Sequence, residues 1–158
     1  MAGVTASTAL RPATLLGWGY EGRSVDELIA DAHAGGVTVV VDVRLNAISR
    51  RKGFSKRALA QRLADAGIAY VHLRALGNPR ENRPGFAELV GPAGHEARAR
   101  YRSAVLESDA GRAALDVLAR YDSAIVLCFE AHEGCCHRAL VLKAVREVRE
   151  SEERRSRT

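Results

Sequence analysis

Three consecutive residues, Cys136, His137 and Arg138, hold the most reactive chemistry in the chain. They stand where an apolar run, Ser123 to Phe129, gives way to a segment with Leu140, Val141, Ala144, Val145 and Val148 at helical spacing. A helix N-terminus carries unpaired N–H groups and a partial positive charge. A thiol placed there, beside an arginine and an imidazole, is expected to have a lowered pKa. The same turn would also hold a phosphate or carboxylate without covalent chemistry, and a free cysteine can simply pack as a small apolar residue. Glu130 closes the preceding strand and reads either as a general acid or base or as the partner that orients Arg138. Cys136, Glu130 and Arg138 are therefore the candidate catalytic residues, with His137 as a ligand-binding neighbour. Cys128, inside the apolar run, reads as packing.

Other templates do not fit. A phosphatase loop ending at Arg138 would need a cysteine where His132 stands. Gly17, Gly19 and Gly22 satisfy GxGxxG, but the acidic residue that should follow, Asp42, lies inside a strand instead of at its end. Cys128, His132, Cys135, Cys136 and His137 are close in sequence but contain no CxxC pair, and adjacent ligands rarely close a tetrahedral site, so no metal is expected. The residues name no cofactor.

A second polar concentration follows Val37 to Val43: Asp42, Arg44, Ser49 and Arg50, then Arg51, Lys52 and Gly53 before a helix opened by Ser55. Hydroxyls, cations and a glycine ahead of a helix suit phosphates, either of a nucleotide or of a nucleic-acid backbone. Tyr20 ends the first strand, and His72 and Asn78 follow the third. Tyr20, Asp42, Arg44, Ser49, Arg50, His72, Asn78 and His137 form the expected ligand-binding set.

The elements that must position these residues can be read in order. Thr14 to Trp18 is a short strand. Ser24 and Glu27 form a capping box ahead of a helix with Val25, Leu28, Ile29 and Ala32 on one face, ended by Gly35 and Gly36. Val37 to Val43 is a β-branched strand buried on both faces. Ser55 caps a second helix, with Phe54 and Leu59 spaced as a hydrophobic staple, and Ile68 to Leu73 is a third strand. Residues 77–95, rich in Gly, Pro and Asn, read as a long loop with one turn near Phe86 to Val90. A helical stretch from Glu96 to Arg120 is expected to break at Asp109 to Gly111, ahead of the strand Ser123 to Phe129 and the last helix. Strands alternating with helices predict a three-layer, Rossmann-like α/β fold: a mainly parallel sheet of about four strands with helices on both faces. In such sheets ligands bind outside the carboxyl ends of the strands, where all the candidates fall.

The 158 residues suit one domain, expected over 14–150, with a flexible lead-in at 1–13 and a charged, disordered tail at 151–158. Apolar residues make up 47% and charged residues 27%, and no run approaches the ~20 apolar residues of a spanning helix, so no membrane is expected. The start shows no secretory pattern, and three cysteines, two of them adjacent, do not form a disulfide framework. Both point to the cytoplasm. A net charge of +5 suits an anionic small molecule or nucleotide, with nucleic acid as a further partner. Aromatics at 5% are too few for a base-stacking platform. The expected function is anion, nucleotide or phosphate binding in an enzyme-like pocket; the alternative is a non-catalytic nucleic-acid-binding or accessory module.

Gly19-Tyr20-Glu21-Gly22-Arg23, Val41-Asp42-Val43-Arg44 with Ser49-Arg50 and Gly53-Phe54, His72-Leu73 with Leu76-Gly77-Asn78, Cys128-Phe129-Glu130 and Cys136-His137-Arg138 together resemble the bacterial and archaeal family called domain of unknown function 488. Ala47 stands where many relatives carry proline. The resemblance implies a compact cytoplasmic α/β domain and supplies no reaction. Its motif positions map onto Tyr20, Asp42, Arg44, Ser49, Arg50, Asn78, Glu130, Cys136, His137 and Arg138.

Overall fold

The computed structural model describes residues 14–158, so the lead-in expected at 1–13 lies outside the described residues. Four strands, β1 (Thr14–Gly19), β2 (Val39–Asp42), β3 (Ala69–His72) and β4 (Ser123–Cys128), form one sheet in the order β1-β4-β2-β3. All pairings are parallel. Gly19 pairs with Cys128, and Asp42 pairs with both Leu127 and His72, so the carboxyl ends of the four strands stand in one row. This is the three-layer α/β architecture that the alternating pattern predicts.

Strand pleating assigns the layers, because successive side chains point to opposite faces. Val40, Ile125 and Leu127 pack with Leu28 of α1 (Val25–Ala34) and with Leu59 and Leu63 of α2 (Lys56–Asp65). Val39, Val41 and Val126 face the other way. There they meet Leu115 and Leu118 of α5 (Asp109–Ala119) and Val141, Leu142 and Val145 of α6 (Arg138–Ser156). Each such side chain contributes roughly 1.5–3 kcal/mol by leaving water. The chain moves outward through β2 and β3 with α1 and α2 on one face, then returns to β4 with α5 on the other. A right-handed crossover requires that change of face when the direction reverses.

Local signals mostly act as expected. Ser24 and Glu27 complete the capping box, and Gly36 takes the left-handed conformation (φ 65°) after α1. Ser55 differs: it occupies the cap position but makes no cap hydrogen bond. Its hydroxyl instead accepts from Ser49 N–H and donates to Ser49 C=O, both at 3.1 Å, so it ties the basic loop to the helix start.

The segment 77–95 is more ordered than its composition suggests. Arg80–Asn82 makes a 3-10 turn, α3 spans Arg83–Phe86, and α4 (Pro92–Tyr101) starts four residues before the predicted Glu96. Pro92 at the first helical position starts that helix, since its missing N–H would be unpaired there anyway. The helix break also moves. A π-turn over Arg102–Leu106 precedes Ser108, whose hydroxyl caps α5 through Gly111 N–H. Gly111 lies inside α5, where a Cβ would strike the carbonyl of Val105. The tail expected to be disordered is helical through Ser156. Arg149 anchors it by donating to the carbonyls of Ala119 and Tyr121, and the Glu/Arg run propagates the helix. Among the described residues no helix is long and apolar enough to cross a membrane.

Candidate functional site

At the carboxyl end of the sheet, residues after β1, β2 and β4 enclose a cleft of about 190 Å³. Tyr20, Arg44, Glu130 and His137 line it as expected, joined by Asn46, Arg83, Cys128 and Phe129. A larger groove of about 540 Å³ between α5 and α6 holds none of the strand-end residues.

One wall is a buried charge pair. Asp42 is the last residue of β2, not interior to the strand as the sequence suggests, and it is fully buried: it accepts Arg44 Nε at 2.9 Å and Nη2 at 2.6 Å, the Arg44 backbone N–H at 3.0 Å and the Tyr70 hydroxyl at 2.6 Å. Arg44 Nη1 donates to the Tyr20 hydroxyl at 3.2 Å. Burial opposes the charge on Arg44, but the bonds to Asp42 outweigh it and raise the guanidinium pKa. Burial and the Asp42 carboxylate likewise push the Tyr70 phenol up. Tyr20 is itself fixed by stacking on Phe54, with ring centroids 4.4 Å apart. The guanidinium at the cleft wall is therefore held in one geometry before any ligand arrives.

The opposite wall and floor are sulfur, imidazole and carboxylate. β4 ends at Cys128, and α6 starts directly after Cys136 and His137. His137 Nδ1 lies 3.8 Å from Cys128 Sγ and 3.8 Å from Cys136 Sγ. Its Nε2 is 2.9 Å from the carbonyl of Val43, which can only accept, so Nε2 donates to it and Nδ1 faces the two sulfurs. Cys128 also donates to Glu130 Oε2 at 3.5 Å. The thiol of Cys128, hydrogen-bonded to Cys136 and buried, is pushed up. That of Cys136 is pulled down by the same bond, by His137 and by the Arg138 backbone N–H, against the effect of burial. Burial, then the nearby Cys136 charge, raises Glu130. Among the described residues, Cys128, Cys136 and His137 are a group that could share a metal ion: their donor atoms all lie within 4.8 Å of one another.

The other candidates take different places. Cys136 is 1% exposed and does not line the cleft, whereas Cys128 does. Arg138 is 2% exposed and does not line the cleft: it donates to the carbonyls of Glu130 (2.5 Å) and Ala131 (3.3 Å). The Glu130 carboxylate is not its partner; Glu133, 3.8 Å from Nε, is. Arg138 therefore holds the strand-end loop in shape. A Cβ at Gly19 would collide with the Glu130 carbonyl, so that loop also depends on glycine in β1. His72 bonds the carbonyl of Arg44 at 2.8 Å, and Asn78 is buried against Asn82 at 3.0 Å. Both support loops instead of facing the cleft. Ser49 is occupied within its own turn, and Arg50 is exposed outside the cleft.

Six cleft residues are missing from the expected set: the apolar Leu45, Ile48 and Phe129, and Arg83, Asn46 and Cys128, which carry polar or sulfur chemistry. Asn46 follows β2 as Arg44 does, and Cys128 is the last residue of its strand, which is the available signal for both. Nothing local marks Arg83; the turn over 80–82 brings it in, and its Nε donates to the carbonyl of Asn78 at 3.1 Å.

No curated protein and no solved structure matches the chain. A family model does match, over residues 24–145, which spans α1 to the first two turns of α6 and includes every cleft residue except Tyr20. The chain thus belongs to the family described as domain of unknown function DUF488.

Proposed function

We propose that the protein binds a small anionic ligand in the cleft at the carboxyl end of the sheet, against a floor able to transfer protons. The observation that carries this reading is Arg44: a buried guanidinium, locked by Asp42 and Tyr20, at the wall of a cleft whose rim holds a second arginine, Arg83. Pre-organised guanidinium groups suit planar or tetrahedral oxyanions, because their donors are aimed before binding. About 190 Å³ is below the roughly 300 Å³ at which ligand pockets usually begin, so an inorganic anion or a small carboxylate or phosphate ester fits. A nucleotide would place only its phosphate inside. Exposed Phe129 and Ile48 at the cleft offer apolar contact to whatever the anion is attached to. Cys128, His137 and Glu130 supply a thiol, a base and a carboxyl beside the bound group; Asp42 and Arg138 position and do not touch it.

Thermal unfolding with inorganic phosphate, sulfate and short carboxylates tests the reading. At least one anion is expected to raise the midpoint of the wild type, with the effect lost in Arg44→Lys and weakened in Arg83→Ala. An identical response in wild type and Arg83→Ala, together with no response difference in Arg44→Lys, overturns it.

A further inference from the structure

We propose that Cys128, Cys136 and His137 form a binding site for one zinc ion whose fourth coordination position opens into the cleft. This goes beyond anion binding and does not depend on it. Zinc held by two thiolates and one imidazole has Zn–S near ~2.3 Å and Zn–N near ~2.0–2.1 Å, which in a tetrahedron places sulfur and nitrogen ~3.6 Å apart. Here the imidazole nitrogen is 3.8 Å from each sulfur. Each nitrogen–sulfur separation is thus within a few tenths of an ångström of the tetrahedral value, and the three donor atoms all lie within 4.8 Å of one another.

The surroundings are arranged as for a metal ligand. Metal-binding imidazoles donate their other N–H to a carbonyl or carboxylate, which fixes the tautomer and the ring. His137 does this through Val43, leaving Nδ1 facing both sulfurs as the nitrogen that would bind the ion. The Arg138 backbone N–H donates to Cys136 Sγ at 3.5 Å, a contact that favours sulfur as thiolate. Two sulfurs and the Glu130 carboxyl share one buried corner with His137. Without a cation, a second negative charge there is repelled by the first. A divalent ion displaces the thiol protons to solvent and turns that repulsion into attraction. Sulfur donors select a soft or borderline ion, and zinc among the common ones takes this geometry.

The sequence gives no CxxC pair, which is why it predicts no metal. The parallel sheet supplies the missing donor by bringing the end of β4 against the start of α6. Cys136 is closed off from the cleft, while Cys128, His137 and Glu130 line it. The vacant position of the ion therefore faces the cleft, with Glu130 Oε2 beside it. Three protein ligands and one open position characterise zinc sites that hold water or substrate, as opposed to closed structural sites. Cys135 is outside the group: its sulfur is 3.9 Å from the Ala87 carbonyl, and it serves as an internal control.

The test uses the full chain, stripped with a chelator under reductant and titrated with Zn(II) against a chromophoric chelator, and separately with Co(II). One zinc per chain is expected. The cobalt form should show thiolate-to-metal charge transfer and the intense visible bands of a tetrahedral ion, and X-ray absorption of the zinc form should show two sulfur neighbours. Cys136→Ser and His137→Ala should lose more than the ~10–100-fold in affinity that outer-shell partners cost, while Cys135→Ser binds as wild type. No zinc binding at micromolar metal, a cobalt spectrum without thiolate charge transfer, or a Cys135→Ser loss equal to that of Cys136→Ser overturns the proposal. The spectra come from wild-type protein, so they decide it even where a buried variant fails to fold.

Discussion

The two walls of the cleft are buried alike and built on opposite principles. At Asp42 and Arg44 each formal charge faces its opposite, and the carboxylate accepts four donors. At Cys128, Cys136, His137 and Glu130 soft donors and acceptors crowd together over long contacts of 3.5–3.8 Å. The first wall is balanced in charge and serves as a fixed frame that holds Arg44 in place for a ligand. The second gains most from something added. The difference teaches that burial by itself does not mark a reactive site; the balance of charge and hydrogen bonds inside the buried volume does.

Mutations can break or sharpen this contrast. The largest effect is expected from Asp42→Ala, which strands the Arg44 charge in the interior; urea unfolding should show a loss of about 3–5 kcal/mol. A loss under about 1 kcal/mol would mean that Arg44 is hydrated, and the frame would not be a frame. Tyr20→Phe keeps the ring on Phe54 and removes only the hydroxyl that Arg44 uses, so about 1.5–3 kcal/mol is expected by the same measurement. On the other wall, Cys136→Ala in metal-free protein should cost only about 1 kcal/mol, a small cavity with weak sulfur contacts. A cost as large as that of Asp42→Ala would show the sulfur corner to be structural. Arg83→Ala, on the exposed rim, should change stability by less than about 0.5 kcal/mol while weakening the response to added anion.

The smallest effect concerns a pair on the surface, which sets the scale for the buried one. Asp31 accepts Trp18 Nε1 at 2.8 Å and Arg23 Nη2 at 2.5 Å. The indole bond first, and Arg23 after it, hold the Asp31 carboxyl below its ordinary 3.8. A carboxyl lowered on folding stabilises the protein above its unfolded pKa and loses that contribution as pH falls through the lowered value. Wild type should therefore exceed Asp31→Asn slightly at neutral pH and converge with it in acid below 3.8. Divergence in acid would contradict the assignment.

Much of the frame is legible locally. Val39 to Val41 announce a buried strand by composition, and the Ser24 capping box and Gly36 set the ends of their helix because such signals act within a turn. The thiol wall was half legible. Cys136 and His137 advertise themselves by standing before a helix, but Cys128 looks like any small residue in an apolar strand. Its role depends on being the last residue of β4, opposite a histidine nine positions later. Arg138 misleads in the other sense: it belongs to the conspicuous triplet, yet both of its terminal guanidinium nitrogens donate to the carbonyls of Glu130 and Ala131. Arg83 carries no local signal at all, because it reaches the cleft through the turn over 80–82, next to a short helix whose Phe86 packs on Tyr101 of a helix that starts nine residues later.

By itself, the sequence determined the α/β class, the alternation of elements and the gathering of polar residues at the carboxyl ends of the strands. Those follow from side-chain periodicity and turn chemistry, which are local. Only the tertiary structure decided which of those residues meet. Placing β4 between β1 and β2 brings Cys128 level with Gly19 and beside Asp42's strand, and sets the start of α6 against Val43. Strand order is a competition between whole faces for burial, and no single segment encodes its outcome. For that reason the cleft, its arginine frame and its sulfur floor exist only in the folded chain.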